Sequence, residues 1–435
     1  MGQDASWRDR EGIPEGAAPL RASLADPRKW LEDQCRLAQM PNFMEATLAS
    51  LRANIGVAGQ RDVLVDQLPR LRMPTLIVWG VEDRVFPYWQ EKLQEKGSPM
   101  TTVHLKPVEE QVVALMGASS GIGRETALRF AERGAKVVVS ARGEEGLDSL
   151  AEEIRRGNGE ATPVVADTSE YEQVKAVADR AVEEYGRLDC WVHLAAVGLF
   201  ATFEQTTPEE FERVIDVNLM GQVYGAMAAL PHLKREGRGA LIHISSVEAK
   251  RSFPFHSAYG ASKHGIDGFL EALRVELKRE GWPISVTQVM PGTINTPFFD
   301  KGRTKLGVKP VGVPPIYEPQ TVANVILYAA EHPTRDLVCG GAAQALILNQ
   351  RLSPRMLDAI LATRTGFSPQ KTKEPRSEED PDNLYGPIQG HDTAKNGFRA
   401  FSRSLYNWLQ MHPTLRRGAA AGTALGLLVA LRRSS

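Results

Sequence analysis

The sequence predicts an α/β fold, a parallel and doubly wound sheet with helices between its strands. Three observations predict it. The stretch Val112 to Arg142, VVALMGASSGIGRETALRFAERGAKVVVSAR, reads as strand, glycine turn, helix and second strand. Its glycines, Gly117, Gly121 and Gly123, fall where strand passes into helix. More short apolar runs follow at intervals: Pro163 to Ala166, Cys190 to Ala195, Ala240 to Ile244 and Ile284 to Val289. Each is short enough for a buried strand, and helical patterns lie between them.

Length and composition set the bounds. At 435 residues the chain exceeds one such domain and predicts two or three units. A net charge of -1 gives no global argument for nucleic acid. Cys35, Cys190 and Cys339 are far apart and odd in number, so neither a disulfide framework nor a metal site is expected. That usage fits a reducing compartment, and a cytoplasmic location is expected. The first twenty residues carry Asp4, Asp9, Glu11 and Glu15 without an apolar core, so no signal peptide is expected.

Residues 1–105 read as a separate piece, helix-rich over 27–68. There follows MPTLIVWGVEDRVFP, Met73 to Pro87, in which Thr75 to Trp79 is a strand and Asp83 sits on a turn. This piece resembles the C-terminal part of an α/β-hydrolase, where such a turn delivers the acid of a Ser-Asp-His triad. No G-x-S-x-G elbow precedes Asp83, so hydrolysis is the least favoured reading of the chain.

Residues 106–350 carry the chemistry. A glycine turn lets backbone approach a pyrophosphate without a Cβ clash, and the following helix N-terminus offers free N–H groups. Beyond it stand Asn218, then Ser245-Ser246 at a strand end, then Tyr259-Gly260-Ala261-Ser262-Lys263. Tyr259 and Lys263 share one helix face at i and i+4, and Ser246 lies 13 positions before Tyr259. With its G-x-x-x-G-x-G turn, this set resembles the short-chain dehydrogenase/reductase family, whose sheet is Rossmann-like. Met116 replaces the family's usual threonine, and His193-Leu194-Ala195-Ala196 replaces Asn-Asn-Ala-Gly. At that place His193 reads as a core histidine.

The resemblance implies a catalytic tetrad of Asn218, Ser246, Tyr259 and Lys263. Hydride passes between nicotinamide and a carbinol carbon, and Tyr259 moves the proton. The Lys263 ammonium is expected to lower the phenol's pKa toward working pH. Ser246 bonds the substrate oxygen, and Asn218 anchors a relaying water. Cofactor contacts are expected from Gly117, Ser119, Ser120, Gly121, Ile122, Gly123, Asp167 (to adenine) and Ala195. Tyr259, Lys263, Pro291, Gly292, Thr293 and Thr296 complete them. Arg142, just past the second strand, stands where an acid would bind a ribose 2′-hydroxyl. A guanidinium there suits a 2′-phosphate, with Arg124 assisting, so NADP(H) is favoured over NAD(H).

Phe253, Phe255, Phe298 and Phe299 suggest an apolar alcohol or ketone as substrate. Residues 297–317 occupy the place of a mobile lid, 321–330 read as helix, and Ala342 to Leu348 as the last strand. Residues 351–435 are expected to form a linker, disordered over 366–392, and then a basic tail. Phe398, Phe401, Leu405, Trp408 and Leu409 would fall on one helical face, and Gly418 to Leu431 is apolar but for Thr423. That tail suggests a membrane surface as partner. A homo-oligomer is expected from the family. The alternative to an oxidoreductase is a non-catalytic nucleotide-binding or scaffold protein, which the altered 193–196 motif suggests.

Overall fold

The computed structural model describes residues 102–412, Leu415, and a small pair of strands, Ile55–Gly56 against Gly59–Gln60. Contacts divide the chain into two units, Met1–Glu95 and Lys96–Ser435. Asp83 and Gly418 to Leu431 lie outside the described residues.

The second unit is organised by seven parallel strands: β1 (Val112–Met116), β2 (Lys136–Ala141), β3 (Ala161–Val165), β4 (Cys190–His193), β5 (Gly239–Ile244), β6 (Ile284–Pro291) and β7 (Asp336–Cys339). Their spatial order is β7-β6-β5-β4-β1-β2-β3. Register follows from β1, where Val113 faces both Val137 of β2 and Cys190 of β4. The helices include α1 (Gly121–Glu132), α2 (Glu144–Arg156), α3 (Tyr171–Tyr185), α4 (Pro208–Ile215), α5 (Gly221–Arg235), α6 (Ser257–Glu280), α7 (Phe298–Lys301), α8 (Pro319–Glu331), α9 (Gly341–Leu352), α10 (Pro354–Leu361) and α11 (Leu405–Gln410), with a single further turn at Arg364–Phe367.

Strand periodicity explains the layers. Successive side chains point to opposite faces, so β1 must be apolar throughout if both faces are covered. Val113 and Leu115 pack with Ala127 and Phe130 of α1 and Ile326 of α8. Val112, Ala114 and Met116 pack on the other side with Val177 of α3, Leu233 of α5 and Ile266 of α6. The chain reverses its winding between β1 and β4, which opens a crevice at the carboxyl ends of those strands.

Three expectations about the C-terminal third are corrected. Ala342 to Leu348 is not a strand but the middle of α9; the last strand is the shorter β7. An apolar run of that length has no periodicity to separate helix from strand. Residues 366–392 are not a disordered linker. Lys371–Pro375 pairs antiparallel with Val308–Pro310, and Leu384 is fully buried with Val197, Leu199, Val214 and Val217. Burying that one side chain stabilises the segment by about 1.5–3 kcal/mol. Nor is there a helix over residues 398–409. Phe401 runs extended beside Tyr317, and only α11 is helical. Asn407 fixes α11 to the sheet edge, bonding the Gly340 N–H and the Val338 carbonyl at 3.0 Å each.

Candidate active site

The crevice leads into a cavity of about 900 Å³. The turn after β1 forms one wall. Gly117 has φ +91°, and a Cβ there would lie 2.5 Å from the Ala195 nitrogen. A Cβ on Gly123 would lie 2.0 Å from the Gly117 carbonyl. No side chain fits at either position, so the strand can turn tightly into α1. Gly117, Ser119, Ser120, Gly121, Ile122, Gly123, Arg142 and Ala195 all line the cavity. Pro291, Gly292, Thr293 and Thr296, after β6, line it from the other side.

Tyr259 and Lys263 lie near the start of α6, which points that end at the strand ends. Ser246 follows β5 by two residues, with its hydroxyl accepting from the Glu248 N–H at 3.1 Å. All three line the cavity. Lys263 is fully buried; its ammonium donates to the Ile244 carbonyl at 3.1 Å and lies 5.3 Å from the Tyr259 ring centre.

The electrostatics differ from the sequence expectation. Burial, together with the Glu248 charge, holds the Tyr259 phenol above its usual range, while a hydrogen bond with Ser246 acts in the opposite sense. Burial pulls the Lys263 ammonium down to about 7, against the attraction of Glu248. The phenol is therefore kept protonated, and it is the lysine that titrates near neutrality. The physical reason is that desolvation penalises both charged forms, and in a closed site it outweighs the Ser246 hydrogen bond at the phenol and the Glu248 attraction at the lysine.

Three further expectations, for Arg124, Asp167 and Phe255, need correction. Arg124 faces away from the cavity and is buried against α2. It donates to the Gly146 carbonyl at 3.3 Å and pairs with Glu153 at 2.6 Å. Asp167 does not line the cavity; its carboxylate is held by Arg213 at 2.9 Å and by the Ser169 N–H and hydroxyl. Asn218 sits in a π-helical turn, Asp216–Met220, between α4 and α5. Its side-chain amide bonds both backbone groups of Val197, at 2.8 and 3.0 Å, and so fixes the loop after β4. Phe255 packs edge-on against Phe367 outside the cavity, whereas Phe253, Phe298 and Phe299 line it.

Arg142 does reach the cavity. Its Nη2 donates to the Asn383 carbonyl at 2.5 Å, and its Nη1 makes no hydrogen bond, with Asp167 3.9 Å away. His193 is buried in the core, bonded to Thr168 at 3.0 Å, as its position in the sequence suggested.

Several lining residues carry no sequence signal. Glu248 is a buried carboxylate that accepts from His256 at 2.7 Å. Lys301 of α7 donates to the Ser120 hydroxyl at 3.0 Å. Leu346 of α9 and Leu357, Ile360 and Leu361 of α10 extend the apolar wall begun by the phenylalanines. Their helices follow the sheet, where no motif marks them.

Comparison with known proteins agrees with this geometry. Residues 111–307 match the short chain dehydrogenase family. An uncharacterized oxidoreductase of Bacillus subtilis is 36% identical over 336 residues, covering 76% of this chain and 94% of that protein. A 3-oxoacyl-[acyl-carrier-protein] reductase of Thermotoga maritima is 34% identical over 228 residues, 51% of this chain and 91% of its own. The crystal structure of a short chain dehydrogenase/reductase from Burkholderia phymatum, in complex with NAD, shares the fold. It has a TM-score of 0.52 at 22% identity, over 57% of this chain and 95% of that one. The family match starts at residue 111 and lends no support to a hydrolase-like piece before it. With this fold, and relatives matched over nearly their whole length, the chain belongs to the short-chain dehydrogenase family and is a nicotinamide-dependent oxidoreductase.

Proposed function

We propose that the chain interconverts a bulky apolar ketone and its secondary alcohol, with NADP(H) as the preferred cofactor. The observation that carries this reading is the convergence of Ser246, Tyr259 and Lys263 on one cavity. The glycine turn lines the same cavity, as do the apolar side chains of Phe253, Phe298, Leu346, Leu357 and Ile360. The donor set fits a phosphorylated dinucleotide: serine hydroxyls, helix N–H groups, the Arg142 guanidinium and the Lys301 ammonium.

A bound nicotinamide supplies or takes up the hydride. The chain's part is positioning and proton movement. Ser246 donates to the substrate oxygen and stabilises the charge that develops there. Tyr259, held in its protonated form, gives its proton to that oxygen during reduction. Lys263, balanced near neutrality, replaces the proton. The apolar wall excludes water and selects substrates without charge. Arg142, whose Nη1 makes no hydrogen bond and lies 3.9 Å from Asp167, is the group suited to a 2′-phosphate.

Turnover of a panel of aliphatic and aryl ketones and secondary alcohols, with each cofactor, tests this. The expected result is activity on bulky apolar members with NADPH or NADP. Activity confined to small charged substrates would overturn the substrate reading.

A further inference from the structure

The segment 382–401 contributes Asn383, Pro387, Ile388, Gln389 and Asp392 to the cavity lining, and its contacts tie it to the elements around that cavity. Asp382 pairs with Arg303 at 2.7 Å. The Leu384 carbonyl accepts from Arg213 at 3.0 Å, and its side chain is buried. Between them, the Asn383 carbonyl takes Arg142. Gln389 donates to Glu145 at the start of α2 at 3.1 Å. Asp392 lines the cavity, 3.8 Å from the Lys301 ammonium, and a Cβ on Gly146 would lie 2.5 Å from its Oδ1. The Thr393 carbonyl accepts from the Gly121 N–H, the first residue of α1, at 2.9 Å. Asn295 then clasps Phe398 through both backbone groups.

This strap engages three groups suited to binding phosphate. They are the Arg142 guanidinium, the Lys301 ammonium and the amide at the head of α1. Burial lowers the Lys301 ammonium's affinity for its proton, Asp392 raises it, and Arg142 is close enough that its charge lowers it further. Two cations therefore share the corner beside Ser119, Ser120 and Gly146 with the Asp392 carboxylate, and a second carboxylate, Asp167, lies 3.9 Å from Arg142. A phosphate entering that corner must displace the carboxylate or lie against it.

We propose that Asp392 is a determinant of cofactor affinity and choice. It is an internal anion that competes with the cofactor's phosphates for this corner, most strongly with a 2′-phosphate. The proposal rests on the cofactor reading above. Like charges held within a few ångströms in a half-buried site repel strongly, and the dianionic 2′-phosphate suffers more than a 2′-hydroxyl. Cofactor binding is thus coupled to release of the strap at Asp392 and Thr393, while Leu384 keeps it anchored to the body of the protein.

The test is fluorescence titration of the full chain with NADPH and with NADH, for wild type, Asp392→Asn and Asp392→Glu. The side chain is partly exposed, so the amide variant should fold, and its thermal midpoint checks this. Asp392→Asn should lower the dissociation constant for NADPH about tenfold and that for NADH about threefold or less. Asp392→Glu should stay within about twofold of wild type. Unchanged or weaker binding of both cofactors by Asp392→Asn overturns the proposal, weaker binding meaning that the strap clamps the cofactor instead. Equal gains for both overturn the assignment to the 2′-phosphate corner. A tightening by Asp392→Glu as large as that by Asp392→Asn overturns the charge argument. A wild-type chain that binds neither cofactor overturns both this proposal and the cofactor reading, whereas binding without the Asn effect overturns this proposal alone.

Discussion

Replacing Lys263 with methionine removes a buried charge at nearly constant length, and its consequence for stability can be worked from the site. The ammonium is 1% exposed and has one hydrogen bond within the chain, to the Ile244 carbonyl. Burial lowers its pKa from 10.5 to about 7. Between those values the unfolded chain binds a proton that the folded chain releases, so stability rises with pH. Below pH 7 both states are protonated and the full cost of burying the charge is felt; it disappears as pH rises through 10.5. The slope is about 1.4 kcal/mol per pH unit, or about 3 kcal/mol between pH 7 and pH 9. Lys263→Met lacks this term at every pH. Its stability relative to wild type should therefore be most favourable at pH 6 to 7 and fall by about 3 kcal/mol by pH 9. Losing the bond to Ile244 adds an offset, but that offset does not vary with pH. Urea unfolding of both proteins across pH 6 to 10 measures the difference. A constant difference across that range would refute the depressed lysine pKa and, with it, the proton-replacement role.

Two more predictions follow from particular residues. Arg142→Asp should weaken NADPH binding by about 2–3 kcal/mol, from a lost charge-assisted contact and a new repulsion, and NADH binding far less; equal losses in fluorescence titration would remove the 2′-phosphate role. Phe401, Leu405 and Trp408 are exposed, so a membrane contact can draw on them as well as on residues 413–435. The full chain should then sediment with anionic liposomes at low salt and a chain ending at Asp392 should not, and two proteins that both stay in the supernatant would dismiss the membrane reading.

The parts of the fold that could be read from the sequence are those where the local pattern and the global structure agree. The strands of the sheet are fully buried, so they appear as apolar runs, and Val112 to Met116 needed no other information. Tyr259 and Lys263 were readable because helix geometry fixes where i and i+4 point. Arg124 was misassigned because its partner, Glu153, stands 29 residues on, and nothing near it in sequence reveals that pairing. The strap is the extreme case. Its first half falls within 366–392, a stretch without periodicity and rich in charge and proline, which locally describes a disordered linker. Order comes from partners elsewhere: Arg142 is 241 residues from Asn383, and Arg213 is 171 from Leu384. The phenol's pKa was misjudged for a related reason. A sequence places the lysine beside the tyrosine but does not report how completely both are buried.

Turnover by Tyr259→Phe tests the central claim most directly, because that change removes one oxygen from the site and no contact to phosphate. Proton transfer by a positioned side chain is worth about 10²–10⁴ in rate. The account predicts a loss of that size on every substrate the wild type turns over. The dissociation constant for NADPH should remain within about threefold, as the variant keeps the glycine turn, Arg142 and Lys263. A variant that retained more than a few per cent of wild-type turnover, with cofactor binding intact, would contradict the assignment of Tyr259 as the group that moves the proton.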